Sequence, residues 1–513
     1  MNIVNRISTS DNGDHQHQIY FCRGDAIDHI SLAELDKRAS AVARHLFDLG
    51  VRPRDRIGVM ARNCIEWVVL DLAVLKLGAV VAGFEVGRFE AGAIGRLYGL
   101  KFLFVDDGSE NASDRIALAS IADWGLQQAA GEVAPFHSGY KPGDICAIKF
   151  TSGSTGVPKG LEATVGSVDD SITSVEGLFG PGGRDNILVF LRLALLQQRY
   201  WIYSALAYGH DVTVTDMDRV LDVAQRVGPT VIMGVPGFFD GVKSQIENAV
   251  GYDPNNVGAR GAALQSRFGG RIRYLWTGSA PASRGLLDFY NGCGVSLYEG
   301  YGLNETCIVT KNHPGAFRIG SVGKLLPNKT VEFDADGIVI VGGNNPVNTH
   351  YSWCAPGDNE KMFLPDGRVK THDLGHFDDD GYLYILGRAD DIITLSSGRN
   401  VLVRTLEERL KEHPEVHECI LCGTGKPFLT VLVSPAVPDM NLSSLKRHVE
   451  DINRTTLPEQ QIKGLVVASE RFSIENDLLT SQFKPKRRDI QRLYAREIEA
   501  QYECEQTDRV PMR

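Results

Sequence analysis

The stretch "SLAELDKRASAVARHLFDLG" (Ser31–Gly50) places Leu32, Leu35, Ala39, Val42 and Leu46 at spacings near the helical repeat. That stripe predicts an amphipathic helix, with Ser31 as its N-cap and Gly50 as its stop. "DRIGVMA", "KFLFVDD", "DICAIKF", "HDVTVTD" and "TVIMGVP" are short apolar runs that predict strands. A helix around Trp67–Leu77 and the helical "MDRVLDVAQRV" fall between them. Strands alternating with helices predict an α/β architecture with largely parallel sheets.

From about Gly320 the pattern changes. "KTVEFDADGIVIVGG" and "GHFDDDGYLYILGR" read as strand pairs around Asp-Gly turns, a β-rich subdomain. After the charged "GRADDII" the chain starts a new pattern: helix "VRTLEERLKEH", strands "ECILCG" and "FLTVLVS", helix "SLKRHVEDIN", strand "IKGLVVAS" and helix "RRDIQRLYAREIEAQYE". The expectation is a large N-terminal domain of layered α/β sheets with its β-rich subdomain, residues 1–389. A small α+β domain, residues 390–513, follows it. There is no internal repeat.

Composition narrows the function classes. The 513 residues are 43% hydrophobic and 23% charged, with a net charge of −10. Such an acidic chain is not built mainly to bind nucleic acid or an anionic membrane. The Cys419–Cys422 pair has C-x-x-C spacing, but it sits in a strand pattern without a second pair, so buried thiols are expected rather than zinc. The scattered cysteines suit a reducing compartment. "MNIVNRISTSDNGDHQHQ" has no apolar signal core, and "WVVLDLAVLKLGAVVAGF" carries Asp71 and Lys76, so a cytoplasmic protein with a buried helix is expected.

The chemistry starts at "FTSGSTGVPKG" (Phe150–Gly160). Gly153, Gly156 and Gly160 permit tight backbone; Ser152, Ser154 and Thr155 supply hydroxyls; Lys159 supplies charge. That combination suits a triphosphate. It is not a Walker A loop, because Pro158 precedes the lysine and Gly160 follows it. In "YEGYGLNET", Tyr301 lies between Gly300 and Gly302 as a flat surface for a base, and Glu305 is a hard oxygen ligand suited to Mg²⁺. Asp373 is read as a carboxylate at a strand end, able to accept from both hydroxyls of a ribose. "FKPKRR" could be a basic patch, but it lacks interleaved aromatics in an acidic chain.

These segments together resemble the adenylate-forming superfamily: acyl-CoA synthetases, peptide-synthetase adenylation domains and luciferases. Five motifs follow in order: the loop Phe150–Gly160, "TGSAPAS" (Thr277–Ser283), "YEGYGLNET" (Tyr298–Thr306), "KTHDLGHFDDDGYLYILGRADDII" (Lys370–Ile393) and "LLTSQFKPKRR" (Leu478–Arg488). The resemblance implies that ATP is held by Thr151, Ser152, Gly153, Ser154, Thr155, Gly156, Gly278, Ser279, Ala280, Tyr301, Gly302, Asp373 and Arg388. It implies Mg²⁺ at Glu305 and Thr155, a hinge at Asp390, and Lys159, Glu305 and Lys484 as the catalytic set, with Lys486 the rival to Lys484.

The implied reaction is conversion of a carboxylic acid to an acyl-adenylate with release of pyrophosphate. Rotation of the mobile C-terminal domain then admits a thiol, CoA or a carrier-protein pantetheine. "GRADDIITLSSGRNV" and "LTSQFKPKRR" look closest to the long- and medium-chain acyl-CoA synthetases. "FLRLALLQQRYW" departs from their pattern, with Arg192 for a proline and Leu195 for a histidine, which puts an ordinary fatty acid in doubt. Phe238, Phe239 and Gly234 are candidates for the acid pocket, although paired phenylalanines more often pack a core. Relatives with altered pockets serve secondary metabolism, and a few activate nitrite to diazotise an aromatic amine, so a non-CoA acceptor stays open. A non-catalytic nucleotide-binding scaffold is the remaining reading. Retention of Lys159, Glu305, Asp373 and a C-terminal lysine argues against it.

Overall fold

A computed structural model describes residues 2–9, 16–106, 115–126, 139–151, 158–250, 257–480 and 483–507. Among these residues the N-terminal part is built on two large sheets. The nine-stranded sheet runs Lys324–Leu325, Cys307–Lys311, Leu297–Leu303, Tyr274–Thr277, Val231–Gly234, Asn186–Val189, Asp211–Val214, Gln18–Arg23, Ala26–Ser31. Its six central strands pair in parallel, and antiparallel strands close both edges. The six-stranded sheet runs Arg115–Ala117, Leu100–Val105, Arg56–Met60, Val80–Gly83, Ile145–Thr151, Lys159–Thr164. Only its last pair is antiparallel.

The helices form where their apolar positions predict. Ser31 accepts from the Glu34 backbone N–H at 3.0 Å and opens Leu32–Asp48, whose stripe from Leu32 to Leu46 is buried. The helix Ile65–Lys76 is apolar on every side and lies inside the core. Its two buried charges are each paired. Asp71 accepts from Arg199 Nη1 and from the Tyr203 hydroxyl, both at 2.6 Å, and Lys76 meets Asp36 at 2.9 Å. None of the described helices is long and apolar enough to cross a membrane.

The β-rich subdomain is an antiparallel sheet, Lys329–Phe333, Ile338–Gly343, Val369–Phe377, Leu383–Arg388. Beyond the 3-10 turn Ala389–Asp391 the chain builds a three-stranded sheet, Val416–Cys422, Leu429–Pro435, Ile462–Val467, with an apolar cluster on each face. Cys419 belongs to one cluster and Cys422 to the other, because residues three apart on a strand point to opposite faces. The expected helix "RRDIQRLYAREIEAQYE" is two helices, Arg487–Leu493 and Ala495–Thr507, broken at Tyr494. The Tyr494 ring turns inward to the Phe472 cluster at that break.

Asp71 and Arg199 are both almost fully enclosed, so removing one leaves an uncompensated buried charge. Asp71→Ala should lower unfolding free energy by about 3–5 kcal/mol. Denaturant melts of the variant and the parent measure this, and a loss below 1 kcal/mol would contradict it.

Candidate active site

The glycine-rich loop turned out to join two strands. Thr151 faces Lys159 across the antiparallel pair Ile145–Thr151 and Lys159–Thr164, and the helix Val165–Phe179 begins only after that second strand. The loop therefore connects two paired strands and does not lead directly into a helix. Ser152, Gly153, Ser154, Thr155 and Gly156 lie outside the described residues.

Lys159 Nζ lies 3.2 Å from Asp358 Oδ1 and 5.2 Å from the centre of the Tyr351 ring. The Tyr351 hydroxyl donates to Glu305 Oε1 at 2.5 Å. The loop lysine and Glu305 are thus joined through one aromatic ring. Sequence reasoning missed Tyr351 and Asp358, which sit in "HYSWCAPGDNEK", a segment with no hydrophobic period. Backbone bonds hold that segment in place, Gly160 N–H to Trp353 O at 2.8 Å and Ser352 N–H to Gly160 O at 2.9 Å. Gly160 was the one available signal, since a Cβ there would meet Trp353 Cε3 at 2.5 Å.

Opposite this corner the strand Tyr274–Thr277 ends and releases Gly278, Ser279 and Ala280. Ser279 holds a φ of 67°, in the left-handed region that non-glycine residues rarely occupy. Glu299 Oε1 accepts from the Ala282 N–H at 3.0 Å and fixes the loop's return. Burial pushes the Glu299 carboxyl up to about 7, while the Ala282 bond and nearby Arg404 hold it back. Two residues on, the strand shifts register between Tyr301 and Gly302, where a Cβ on Gly302 would meet Cys307 O at 2.0 Å.

The Tyr301 hydroxyl donates to Asp373 Oδ2 at 2.6 Å. Asp373 is not at a strand end as the sequence suggested. It lies inside Val369–Phe377, opposite Arg388, and is buried. His372 before it takes a φ of 62° and bonds Lys361 O at 2.8 Å, and the register shifts just after Leu374. Those irregularities stand where a terminus was expected. Arg388 donates to Asp373 Oδ1 at 3.3 Å, to Thr371 O at 3.0 Å and to Asp390 Oδ2 at 3.1 Å.

Lys484 arrives from the C-terminal domain. The residue is exposed, yet it lies within electrostatic reach of groups in the N-terminal part of the chain. Desolvation lowers its pKa from the ordinary lysine value; Asp373 and Glu305 oppose that shift and Arg388 adds to it. Lys486 points elsewhere and pairs with Asp477. Arg487 is held by Glu407, with Nη1 to Oε1 at 2.8 Å. Phe483 packs against the apolar core of the N-terminal domain and also against that of the C-terminal domain. Its ring enters beside Gly237, where a Cβ would come within 3.2 Å of Phe483 Cβ.

Arg192 is half-exposed and bonds Glu85 Oε2 at 3.0 Å. Glu85 also holds Arg88 at 3.0 Å, which donates to Thr151 O at 2.8 Å. Phe238 and Phe239 pack into an apolar core cluster. A cavity bounded by Tyr200, Trp201, Met233, Trp276 and Ile308 opens beside the strand end at Thr277, so Met233 takes the lining position that the sequence reading gave to its neighbour Gly234.

The sequence-marked residues thus include a buried carboxylate beside a tyrosine, Asp373 and Tyr301, with Lys484 contributed by the C-terminal part of the chain. A sequence profile of the AMP-binding enzyme family matches residues 8–341, and one of the AMP-binding enzyme C-terminal domain matches residues 390–506. The chain belongs to the AMP-binding enzyme family. It is an AMP-forming ligase that activates an acid as the acyl-adenylate and passes it to a thiol. It is 27% identical to a long-chain-fatty-acid–CoA ligase of Mycobacterium tuberculosis, over 93% of this chain and 92% of that one. It is 26% identical to the 2-succinylbenzoate–CoA ligase of Bacillus subtilis, over 77% and 80%. Among solved structures, the anthranilate CoA ligase AuaEII with anthranoyl-AMP superposes at a TM-score of 0.77, with 18% identity over 96% of this chain and 97% of that one. ATP-bound MatB of Rhodopseudomonas palustris gives 0.78, with 21% identity over 96% and 99%.

Glu299 gives the site a pH signature. A carboxyl raised from about 4.5 to about 7 favours the folded state while protonated, and that stability is lost as pH rises through 7. Glu299→Gln should match the parent at pH 5 and exceed it at pH 8, by on the order of 2–3 kcal/mol. Urea melts at the two pH values test this, and a parent-to-variant gap that does not widen with pH rules it out.

Proposed function

We propose a division of labour among these residues for an acid–CoA ligase. The single observation that supports it is that Lys484, from the C-terminal part of the chain, feels the charges of Asp373, Arg388 and Glu305. ATP would lie across these residues, its adenine against Tyr301 and the Gly278–Ala280 loop and its ribose at Asp373 and Arg388. Its phosphates would face the loop Thr151–Lys159. Glu305 suits magnesium, which characteristically takes one or two protein carboxylates and fills its remaining positions with phosphate oxygens and water. Bound there, the ion would neutralise phosphate charge.

In the first half-reaction an oxygen of the acid bonds to the α-phosphorus as the bond from α-phosphorus to the bridging oxygen breaks. Pyrophosphate leaves with the electron pair. Charge grows on oxygens that Lys484 and Lys159 would face, and fixed cations stabilise it with little reorganisation. In the second half-reaction the thiol sulfur bonds to the acyl carbon and AMP leaves. Lys484 would have to withdraw first, by rotation about Asp390. The exposed Asp390 carboxylate, bonded to Arg388 at 3.1 Å and 3.9 Å from His372 Nδ1, suits a pivot that can be re-formed. The relatives' names, all CoA ligases, support CoA as the thiol.

Lys484→Ala should cut pyrophosphate release by about 10²–10³-fold, the usual cost of removing one preorganised donor, while ATP affinity stays within a few-fold. Lys486→Ala should keep most of the activity, since its partner is Asp477. Coupled pyrophosphate release and calorimetric ATP binding measure both, and a reversed pattern would assign the role to Lys486. Thioester formation with CoA across an acid panel tests the acceptor.

A further inference from the structure

The cavity beside Thr277 has a volume of about 20 Å³. That is room for about one water-sized group. Five of its ten lining residues are the large Tyr200, Trp201, Met233, Trp276 and Ile308; the other five, from Ser171 to Ser204, include small and polar side chains. The lining comes from the helices Val165–Phe179 and Leu196–Tyr208 and from three strands of the nine-stranded sheet, Val231–Gly234, Tyr274–Thr277 and Cys307–Lys311. Trp276 directly precedes the Thr277–Ala280 turn, and Ile308 lies three residues after Glu305. The cavity is therefore where an acid would extend away from the α-phosphate.

The walls are pinned. The Trp276 ring is packed by Phe179 at 4.6 Å and by Trp201 at 5.0 Å, both edge-on. Lys311 Nζ lies 3.9 Å from the centre of the same ring and donates to Tyr298 O at 2.8 Å. Its side chain runs so close to the Gly300 backbone that a Cβ there would meet Lys311 Cδ at 2.6 Å. The Tyr200 hydroxyl is engaged at 3.4 Å with Cys307 Sγ, which Lys149 Nζ also meets at 3.4 Å. Swinging either tryptophan aside would break several contacts at once. The indole N–H groups of Trp201 and Trp276 are both buried without a hydrogen-bond partner. Buried donors without acceptors are uncommon, and they favour a ligand that brings an acceptor.

We propose that the acid activated here is compact: an oxyacid anion with no more than about one or two heavy atoms beyond its reacting group, and that Trp201, Trp276 and Lys311 exclude extended acyl chains. The inference rests on the acid-activation reading above and names its substrate class. Short carboxylates and nitrite share that chemistry, since each presents two oxygens on a small centre and forms the same bond to the α-phosphorus.

ATP–pyrophosphate exchange with the full chain tests it, using nitrite, formate, acetate and propionate against octanoate and palmitate. Exchange should be at least about 100-fold faster with one of the first four than with the last two, and which of the four works separates nitrite from a carboxylate. Trp276→Ala and the milder Trp276→Phe, each checked for an unchanged thermal melt, should raise octanoate-dependent exchange about tenfold or more relative to the compact acid. Independently of turnover, the acetyl sulfamate of adenosine should bind the parent about 100-fold more tightly than the dodecanoyl sulfamate. Octanoate or palmitate exchange equal to that of the compact acids, or equal binding of the two sulfamates, would overturn the compact-acid inference and leave acid activation standing. Binding of ATP without exchange on any acid of either length would instead overturn acid activation itself.

Discussion

The hydrogen bond from Tyr301 to Asp373 holds three parts of the molecule at one point. Tyr301 belongs to the nine-stranded sheet, Asp373 to the β-rich subdomain, and Arg388, on the same carboxylate, stands immediately before the turn into the C-terminal domain. A buried carboxylate needs its lone pairs satisfied. Here the donors come from two other elements, so meeting that need also fixes how the elements sit. Lys484 feels the charges both of this junction and of Glu305 in the Glu305–Tyr351–Lys159 chain.

Much of this was legible in the chain because burial imposes periods. The Leu32–Leu46 stripe, the central apolar helix and the parallel strands follow from which faces must leave water. The turns at Asp334–Gly337 and Asp378–Gly381 follow from residues that tolerate tight backbone. The motif residues could be placed because their types match the chemistry of phosphate and ribose. The strand Lys159–Thr164 was not legible. Its pattern is short, and it owes its pairing to Ile145–Thr151 on one side and to the Trp353 segment on the other. Tyr351 and Asp358 were hidden for the same reason: they sit in irregular backbone held by distant partners. The Asp373 misplacement arose because a positive φ at His372 breaks the strand's geometry without ending it.

The acid cavity shows a different limit. Its walls are contributed by residues from 171 to 308, and no one segment carries a signature of the space they enclose. Trp276 reads as an ordinary strand residue, and Lys311 reads as an exposed charge at a strand end. Only their contact, a lysine laid over an indole and tied to the neighbouring strand's carbonyl, turns both into a wall. A relative that shares the nucleotide motifs can therefore differ wholly in what it activates. Nucleotide recognition uses backbone and a few fixed side chains, whereas the cavity depends on bulk at positions where many residues fold equally well.

Phe483 and Gly237 form the most economical contact between the domains. The ring reaches two hydrophobic cores at once, and the space it uses exists because position 237 carries no side chain. The packing of the two domains is thus specified partly by something missing. A single methyl group at that notch would prop the two bodies apart by a few tenths of an ångström, next door to the lysine whose reach matters most. Timing between the two half-reactions would then shift without any reacting group having been touched.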